Sequence, residues 1–503
     1  MRKRPHRPSI HILDDDSLLN IFFLYRPVLL DEDEDIRLLV VRRAREHWWY
    51  KFTHVCRRWR HLVLASASHL GLCLICKYGT PVADMLAHSP PLPLIIDYRA
   101  RDITAEDEEE GIILALQHRN RVRRIRLRIP IPSLQKVLLA IDDEFPILEH
   151  IYIVPLAKHD MRLILPKTFQ APHLRRLLLS NFAIPIRSPL LTTTVGLVAL
   201  SLEWIHPSAY FRPNDLLQRL SLMPQLELLA IGFHSPVPNR EVEIQLLDTP
   251  TMTHITLPNL RWFFFEGVSI YLEALLPRMT TPLLKQLEII FFNQLTFPVP
   301  HLLQFIDTRE NLRFHSAVFR FSPRGLTMQV YPQNGAKIYA LGMKVLCTCL
   351  GWQVASAAQI YDALRTAFSA VEHITLHYGS GFTLLEHQQN PANRSQWREL
   401  LRSFGNLKTL CVVDNDLVTQ VSHCLRPDDE GPPMELLPEL KELEYEFFSS
   451  GDAGDVFTSF IDSREKAGHP ITLTRLERAS SGDRGQSSTF LSGKRGIQFL
   501  GPT

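Results

Sequence analysis

Pro224-Gln225-Leu226-Glu227-Leu228-Leu229-Ala230-Ile231 joins a proline break to an alternating apolar run. Leu226, Leu229 and Ile231 follow a Leu-x-x-Leu-x-Leu pattern, and its alternating end suits a short strand with one side turned to a core. Pro224 stops whatever precedes it, because proline lacks the N–H a helix needs. What precedes is Asn214-Asp-Leu-Leu-Gln-Arg-Leu-Ser-Leu-Met223, where Leu216, Leu217, Leu220 and Met223 share one helical face. The local unit is therefore helix, proline break, strand.

That unit recurs. Copies of the pattern begin at Val122, Leu148, Leu174, Leu197, Leu226, Leu260, Leu284, Leu312, Val371, Leu407 and Leu440. From the first to the eighth the separations are 26, 26, 23, 29, 34, 24 and 28 residues. Six starts have proline two residues earlier: Pro146, Pro172, Pro224, Pro258, Pro282 and Pro438. Helical faces precede several of them: Ile360, Leu364 and Phe368 within Ala357 to Phe368, and Trp397, Leu400, Leu401 and Phe404 within Ser395 to Phe404. Thr104 with Asp107 is placed to cap a helix running towards Val122. The gap between Leu312 and Val371 is too long for one unit and predicts a degenerate copy or a hairpin over Ala317 to Val330, turning at Ser322-Pro-Arg-Gly325. Helix and strand at this period predict an α/β fold, an irregular leucine-rich-repeat-like solenoid with a parallel sheet. The asparagine that usually follows such strands is mostly missing, and Asn181 stands one place early.

Ahead of the array, Phe52-Thr-His-Val-Cys-Arg-Arg-Trp-Arg-His-Leu-Val63 separates into two faces on the reading that it is one short helix. Phe52, Val55, Cys56, Trp59, Leu62 and Val63 form the apolar side, and Arg57, Arg58, Arg60 and His61 the polar one. Upstream, Asp14 to Asp16 suit the start of a helix, at the positive end of its dipole. Leu18, Leu19, Ile21 and Phe22 make that helix's apolar side, and Arg26-Pro27 ends it. Ile36 to Ala65 is rich in helix formers and predicts one helix, or two joined near Trp48-Trp49.

The pair resembles an F-box, the helical module that docks on the Skp-type adaptor of cullin-RING ubiquitin ligases. Val55-Cys-Arg-Arg-Trp-Arg60 matches the end of the family pattern, and Leu18 to Phe22 matches its leucine-rich helix. The resemblance covers residues 11 to 72. Asp14 stands where the family has proline, and an insert from Asp31 to about Trp49 lengthens the spacer. Long inserts followed by Pro90-Pro-Leu-Pro-Leu-Ile-Ile-Asp97 are similar to the F-box proteins expanded in mushroom-forming fungi. The resemblance implies a substrate-recognition subunit of an SCF-type cullin-RING ubiquitin ligase: a non-catalytic protein-protein interaction receptor whose repeat domain binds an as yet unknown protein substrate. It also implies that Leu13, Leu18, Leu19, Ile21, Phe22, Val55, Cys56, Trp59, Arg60 and Leu62 form or support the adaptor contact, with Trp59 as anchor. The alternative is a non-ligase leucine-rich-repeat scaffold whose F-box-like helices only cap the solenoid. The domains expected are a flexible basic tail at 1–9, the F-box-like helices at 10–75, the repeat domain at 90–476 and a disordered Gly/Ser-rich tail at 477–503.

Composition agrees with this frame. The 503 residues are 45% hydrophobic and 21% charged with net charge +2, so no global field calls for nucleic acid or a membrane surface. Seven cysteines at irregular spacing make no disulfide framework and suit a reducing, intracellular compartment, cytoplasmic or nuclear. Neither a signal peptide nor a membrane span is expected, since apolar runs are short and interrupted by charge. Cys73-Leu-Ile-Cys76 has half the spacing of a zinc knuckle, without a second pair, and is expected as a buried segment. Cys347, Cys349, Cys411 and Cys424 are expected as small core residues. No phosphate loop, nucleophile elbow or His-Glu-x-x-His helix is present, and no cofactor or metal is expected. Gly379-Ser-Gly381 is expected as a loop. Two stretches stand out as binding candidates: the aromatic run Trp262-Phe-Phe-Phe265, and the basic stretch Arg119 to Arg128, the latter set against solvation or pairing with Glu106 to Glu110.

Overall fold

A computed structural model describes residues 13–26, 48–99, 106–156, 163–234, 253–292, 299–309, 312, 314–333, 336, 338–378, 394–426, 436–446 and 456–476. The expectations for the two tails, the insert up to residue 47, Pro27, the cap at Thr104 and the loop at Gly379 fall outside them. The described residues form two compact units, one within 13–156 with 166–174, the other 163–165 with those from 175 to 476.

The first unit begins with helices α1 (Asp15–Leu24), α2 (Tyr50–Thr53), α3 (Arg57–Ala65) and α4 (Ala67–Leu70). Gly71, in the left-handed region at φ 63°, ends α4 and turns the chain into the first strand. Four parallel strands follow: β1 (Leu74–Lys77), β2 (Leu94–Tyr98), β3 (Val122–Leu127) and β4 (His150–Ile153). The array thus starts at Leu74, ahead of the expected boundary at 90. Cys76 in β1 is buried, as the apolar setting of Cys73 to Cys76 predicts. Leu94, Ile96 and Tyr98 on β2, Ile125 and Leu127 on β3, and Ile151 and Ile153 on β4 point to one buried face. Helices Glu106–Gln117 and Ile131–Leu138 connect the strands, and Glu109 of the first accepts from Ser133 Oγ (2.5 Å) and Lys136 Nζ (2.7 Å) of the second.

The second unit holds β5 (Arg176–Ser180), β6 (Ala199–Ile205), β7 (Leu228–Phe233), β8 (Ile255–Thr256), β9 (Trp262–Gly267), β10 (Met279–Thr280), β11 (Gln286–Phe292), β12 (Ser316–Ser322), β13 (Gly325–Tyr331), β14 (Leu341–Leu346), β15 (His373–Tyr378), β16 (Thr409–Val413), β17 (Glu442–Glu446) and β18 (Thr472–Arg475). β8 and β10 pair only with each other. The rest form a large, mostly parallel sheet in the order β5-β6-β7-β9-β11-β14-β13-β12-β15-β16-β17-β18. Helices stand between many successive strands, including Pro213–Leu220, Arg394–Ser403 and Asn415–Leu425. Facing residues in register, such as Leu177, Leu200, Leu229, Phe263 and Leu287, build the core layer.

The proline signature has a sharper cause than helix termination. At all six sites the N–H of the start residue donates to the carbonyl three residues back: Leu148 to Phe145, Leu174 to Ala171, Leu226 to Met223, Leu260 to Leu257, Leu284 to Thr281 and Leu440 to Leu437. The proline therefore takes the second position of a β-turn, where its fixed φ is already correct. Leu312, Val371 and Leu407 close the same turn without proline. The start residues are buried and the strand begins two residues later, except after Leu312, where β12 begins at Ser316.

The long gap resolves as the hairpin and one strand more. β12 and β13 pair antiparallel through Ser322 opposite Gly325, and β14 then slots between β13 and β11, parallel to β11. The sheet is consequently not parallel throughout, a correction to the expectation. The cause is local: the two-residue turn at Pro323-Arg324 forces reversal, and only glycine fits at 325, where φ is 143° and a Cβ would lie 2.1 Å from Val345 O. Buried Gln353 locks the insertion, donating to Ser322 O (2.8 Å) and Cys347 O (2.9 Å) and accepting from Ser322 N (3.3 Å).

Candidate functional site

Phe52 to Val63 is not one helix. α2 ends at Thr53, the chain breaks over His54 and Val55, and Cys56 is extended at φ −159°, ψ 170° before α3 begins. Cys56 Sγ caps α3 by accepting from Trp59 N at 3.5 Å. A thiol is an uncommon cap, which is why periodicity alone runs the helix through it. The break re-aims the apolar side: Val55 becomes 57% exposed, whereas Leu62 and Val63 are buried.

The predicted residues divide into interior and surface. Leu18 and Phe22 of α1 are fully buried, and Trp59 is only 9% exposed. Phe22 stacks at 4.6 Å from Phe52 and edge-on at 4.9 Å from Trp59, with Phe52 and Trp59 6.0 Å apart. Trp59 thus supports the module from inside. Leu13, Leu19, Ile21 and Cys56 are half-buried and Arg60 is exposed. Leu19 lines a groove with Asp16, Asn20, Ala65, Ser66, Ser68 and His69.

Two arginines of the polar side tie the module together. Arg58 donates to Leu13 O (2.7 Å) and, through Nε and Nη2, to Asp15 Oδ1 (3.0 and 2.7 Å). Arg60 Nε donates to Thr53 O (2.8 Å), bridging the break. Asp14 caps α1, accepting from Ser17 N at 2.6 Å, and these hydrogen bonds hold its carboxyl below the ordinary aspartate value.

Sequence reasoning missed an exposed apolar run at the end of α1. Phe23, Leu24 and Tyr25 are 46%, 82% and 68% exposed, and Tyr50 is also exposed. The available signal was that apolar residues at 18, 19, 21, 22, 23 and 24 exceed one face of a helix, so some must stay outside. Phe23 is flanked by His69 (5.7 Å) and by the Arg26 guanidinium (6.0 Å).

The other candidates sit as follows. Trp262 and Phe264 stack at 5.9 Å on the side of β9 opposite Phe263 and Phe265, which are fully buried. Burial raises the thiols of Cys76 and Cys411 to about 12, and of Cys347 and Cys424 to about 11, which keeps them protonated at neutral pH. Within the acidic run, Glu108 accepts from Gly79 N (2.8 Å) and Glu109 from Ser133 and Lys136. Arg119 pairs with Asp143, Arg123 with Glu149 (2.9 Å), and Arg121 donates to Leu92 O (3.0 Å) and Pro90 O (3.3 Å). Among the described residues, no group of three His, Cys, Asp or Glu is placed to hold a metal, and no helix is long and apolar enough to cross a membrane. No protein-family model matches the chain, and no curated protein is significantly similar to it.

Proposed function

We propose that this protein is the substrate-recognition subunit of an SCF-type cullin-RING ubiquitin ligase, its helical module docking on a Skp-type adaptor and its strand array holding a target protein. The observation that carries the reading is the division of the module. A closed aromatic centre of Phe22, Phe52 and Trp59 leaves Phe23, Leu24, Tyr25 and Val55 outside, in the same stretch that resembles the F-box. Exposed apolar residues gathered on a small helical module are characteristic of an interaction surface. On this reading, catalysis is proximity: the array holds the target near a ubiquitin-conjugating enzyme carried by another chain.

The test is co-purification with a Skp-type adaptor, comparing wild type with Leu24→Asp and Val55→Asp. Both positions are exposed, so folding should survive while capture is lost. Failure of wild type to associate sinks the proposal; equal capture by all three moves the interface elsewhere. A second reading, that the helices only cap the array, draws on the seamless join between α4 and β1, where Leu70, Leu72 and Leu74 are buried in succession. It predicts no adaptor capture at all.

A further inference from the structure

One row of residues crosses the second unit just ahead of its strands. Backbone hydrogen bonds fix the order: Val198 N donates to Arg175 O (2.8 Å), Glu227 N to Val198 O (2.8 Å), Arg261 N to Glu227 O (2.8 Å) and Lys285 N to Arg261 O (2.9 Å). Each residue immediately precedes a strand, respectively β5, β6, β7, β9 and β11, which are neighbours in the sheet. The row therefore advances by about 4.8 Å per step. Across it the charges run positive, neutral, negative, positive, positive. Arg175 and Lys285 are exposed, and Glu227 and Arg261 are half-exposed. Among the described residues, none of these four side chains has a hydrogen bond or an ion pair. The next row, in register, is Ala199, Leu228, Trp262 and Gln286. There Leu228 and Trp262 keep part of their surface in solvent, and Trp262 is braced by its stacking on Phe264. A braced, partly exposed tryptophan beside an unpaired arginine has the composition of an interface anchor.

We propose that this row docks an amphipathic helix of a target protein. Its carboxylates meet Arg175, Arg261 and Lys285, a cation meets Glu227, and an apolar side chain rests on Trp262. A helix lying across the strands advances about 1.5 Å per residue, so one face repeats every three or four residues, at about 4.5 to 6 Å. That step matches the strand spacing of about 4.8 Å, whereas one side of an extended chain repeats at about 6.6 Å and falls out of step. Arg175 and Arg261 lie three strands apart, about 14 Å, which a helix covers in about ten residues. The carboxylate of Glu227 inside the row opposes an unbroken anionic backbone such as nucleic acid. The inference names a target class for the receptor reading above and rests on that reading for its biological use.

The test uses the full chain and a fluorescein-labelled, alanine-based helical peptide, read by fluorescence anisotropy. The peptide carries Glu at its first, eleventh and fourteenth residues, Lys at its eighth, and Leu at its fourth and seventh. It should bind, and a peptide of the same composition with the eighth and eleventh residues exchanged should bind about tenfold more weakly. R261E and K285E should each weaken binding of the first peptide about tenfold, with unchanged thermal unfolding. Replacing only the eleventh residue by Lys should restore binding to R261E while weakening it to wild type, a reversal that a merely structural role for Arg261 would not produce. W262A should also weaken binding; if it does not fold, R261E and K285E decide the outcome. No binding of the first peptide, wild-type affinity in R261E and K285E, equal binding of the exchanged peptide, or tighter binding of a DNA duplex overturns the proposal. Because this measurement needs no adaptor, its failure is distinguishable from failure of adaptor capture.

Discussion

Trp59→Ala should loosen the helical module before it affects any partner. The indole is 9% exposed and touches Phe22 and Phe52 at 4.9 and 6.0 Å between ring centres. Burying an aromatic of this size removes about 150 to 250 Å² from water, worth about 4 to 6 kcal/mol at about 25 cal/mol per Å². Measured truncations of buried aromatics cost about 3 to 5 kcal/mol, because the site collapses in part. A loss of about 4 kcal/mol in local stability corresponds to about a thousandfold fall in amide protection. Hydrogen-exchange mass spectrometry on peptides covering Asp15 to Leu24 and Arg57 to Ala65 reads this directly, with β15 to β17 as internal reference. Loss of adaptor capture without faster exchange would refute the reasoning, since Trp59 would then be a direct contact. Unchanged exchange and unchanged capture would deny it any role in the module.

Other perturbations probe the fold and the caps. Gly325→Ala places a Cβ against Val345 O at a φ that side chains rarely adopt, and should destabilise the second unit by about 2 kcal/mol or more, seen as a lower thermal midpoint. Gln353→Leu leaves Ser322 and Cys347 backbone groups unpaired in the interior and should cost about 2 to 3 kcal/mol in urea unfolding, the larger part of it desolvation. Asp14, its carboxyl held below the ordinary value by the Ser17 N–H, contributes stability present above the unfolded value of 3.8 and lost as pH falls through its lower folded value. Exchange in the first turn of α1 should therefore quicken in that acid window for wild type and show no such step in Asp14→Asn.

How much was legible depends on whether a signal was local. The turns before Leu148, Leu174, Leu226, Leu260, Leu284 and Leu440 are set by adjacent residues, and the hairpin at Ser322 to Gly325 by its own proline and glycine. Each could be placed from sequence. The break at Cys56 could not, because a cysteine cap carries no statistical weight and its neighbours keep a helical period. The slot taken by β14 was equally hidden, since pairing with β11 is decided by residues some fifty positions apart.

The alternation of helix and strand, the buried start residue of each unit and the capping of α1 follow from local sequence, because they rest on the 2.0 and 3.6 residue periods and on turn chemistry. Which apolar residues of the helical module remain outside, and which arginines are ties, is set by packing between segments distant in the chain. An amphipathic pattern says how wide an apolar face is; it does not say which part of that face a neighbour will cover. Phe22 and Phe52 cover Trp59, and the break at Cys56 turns Val55 out.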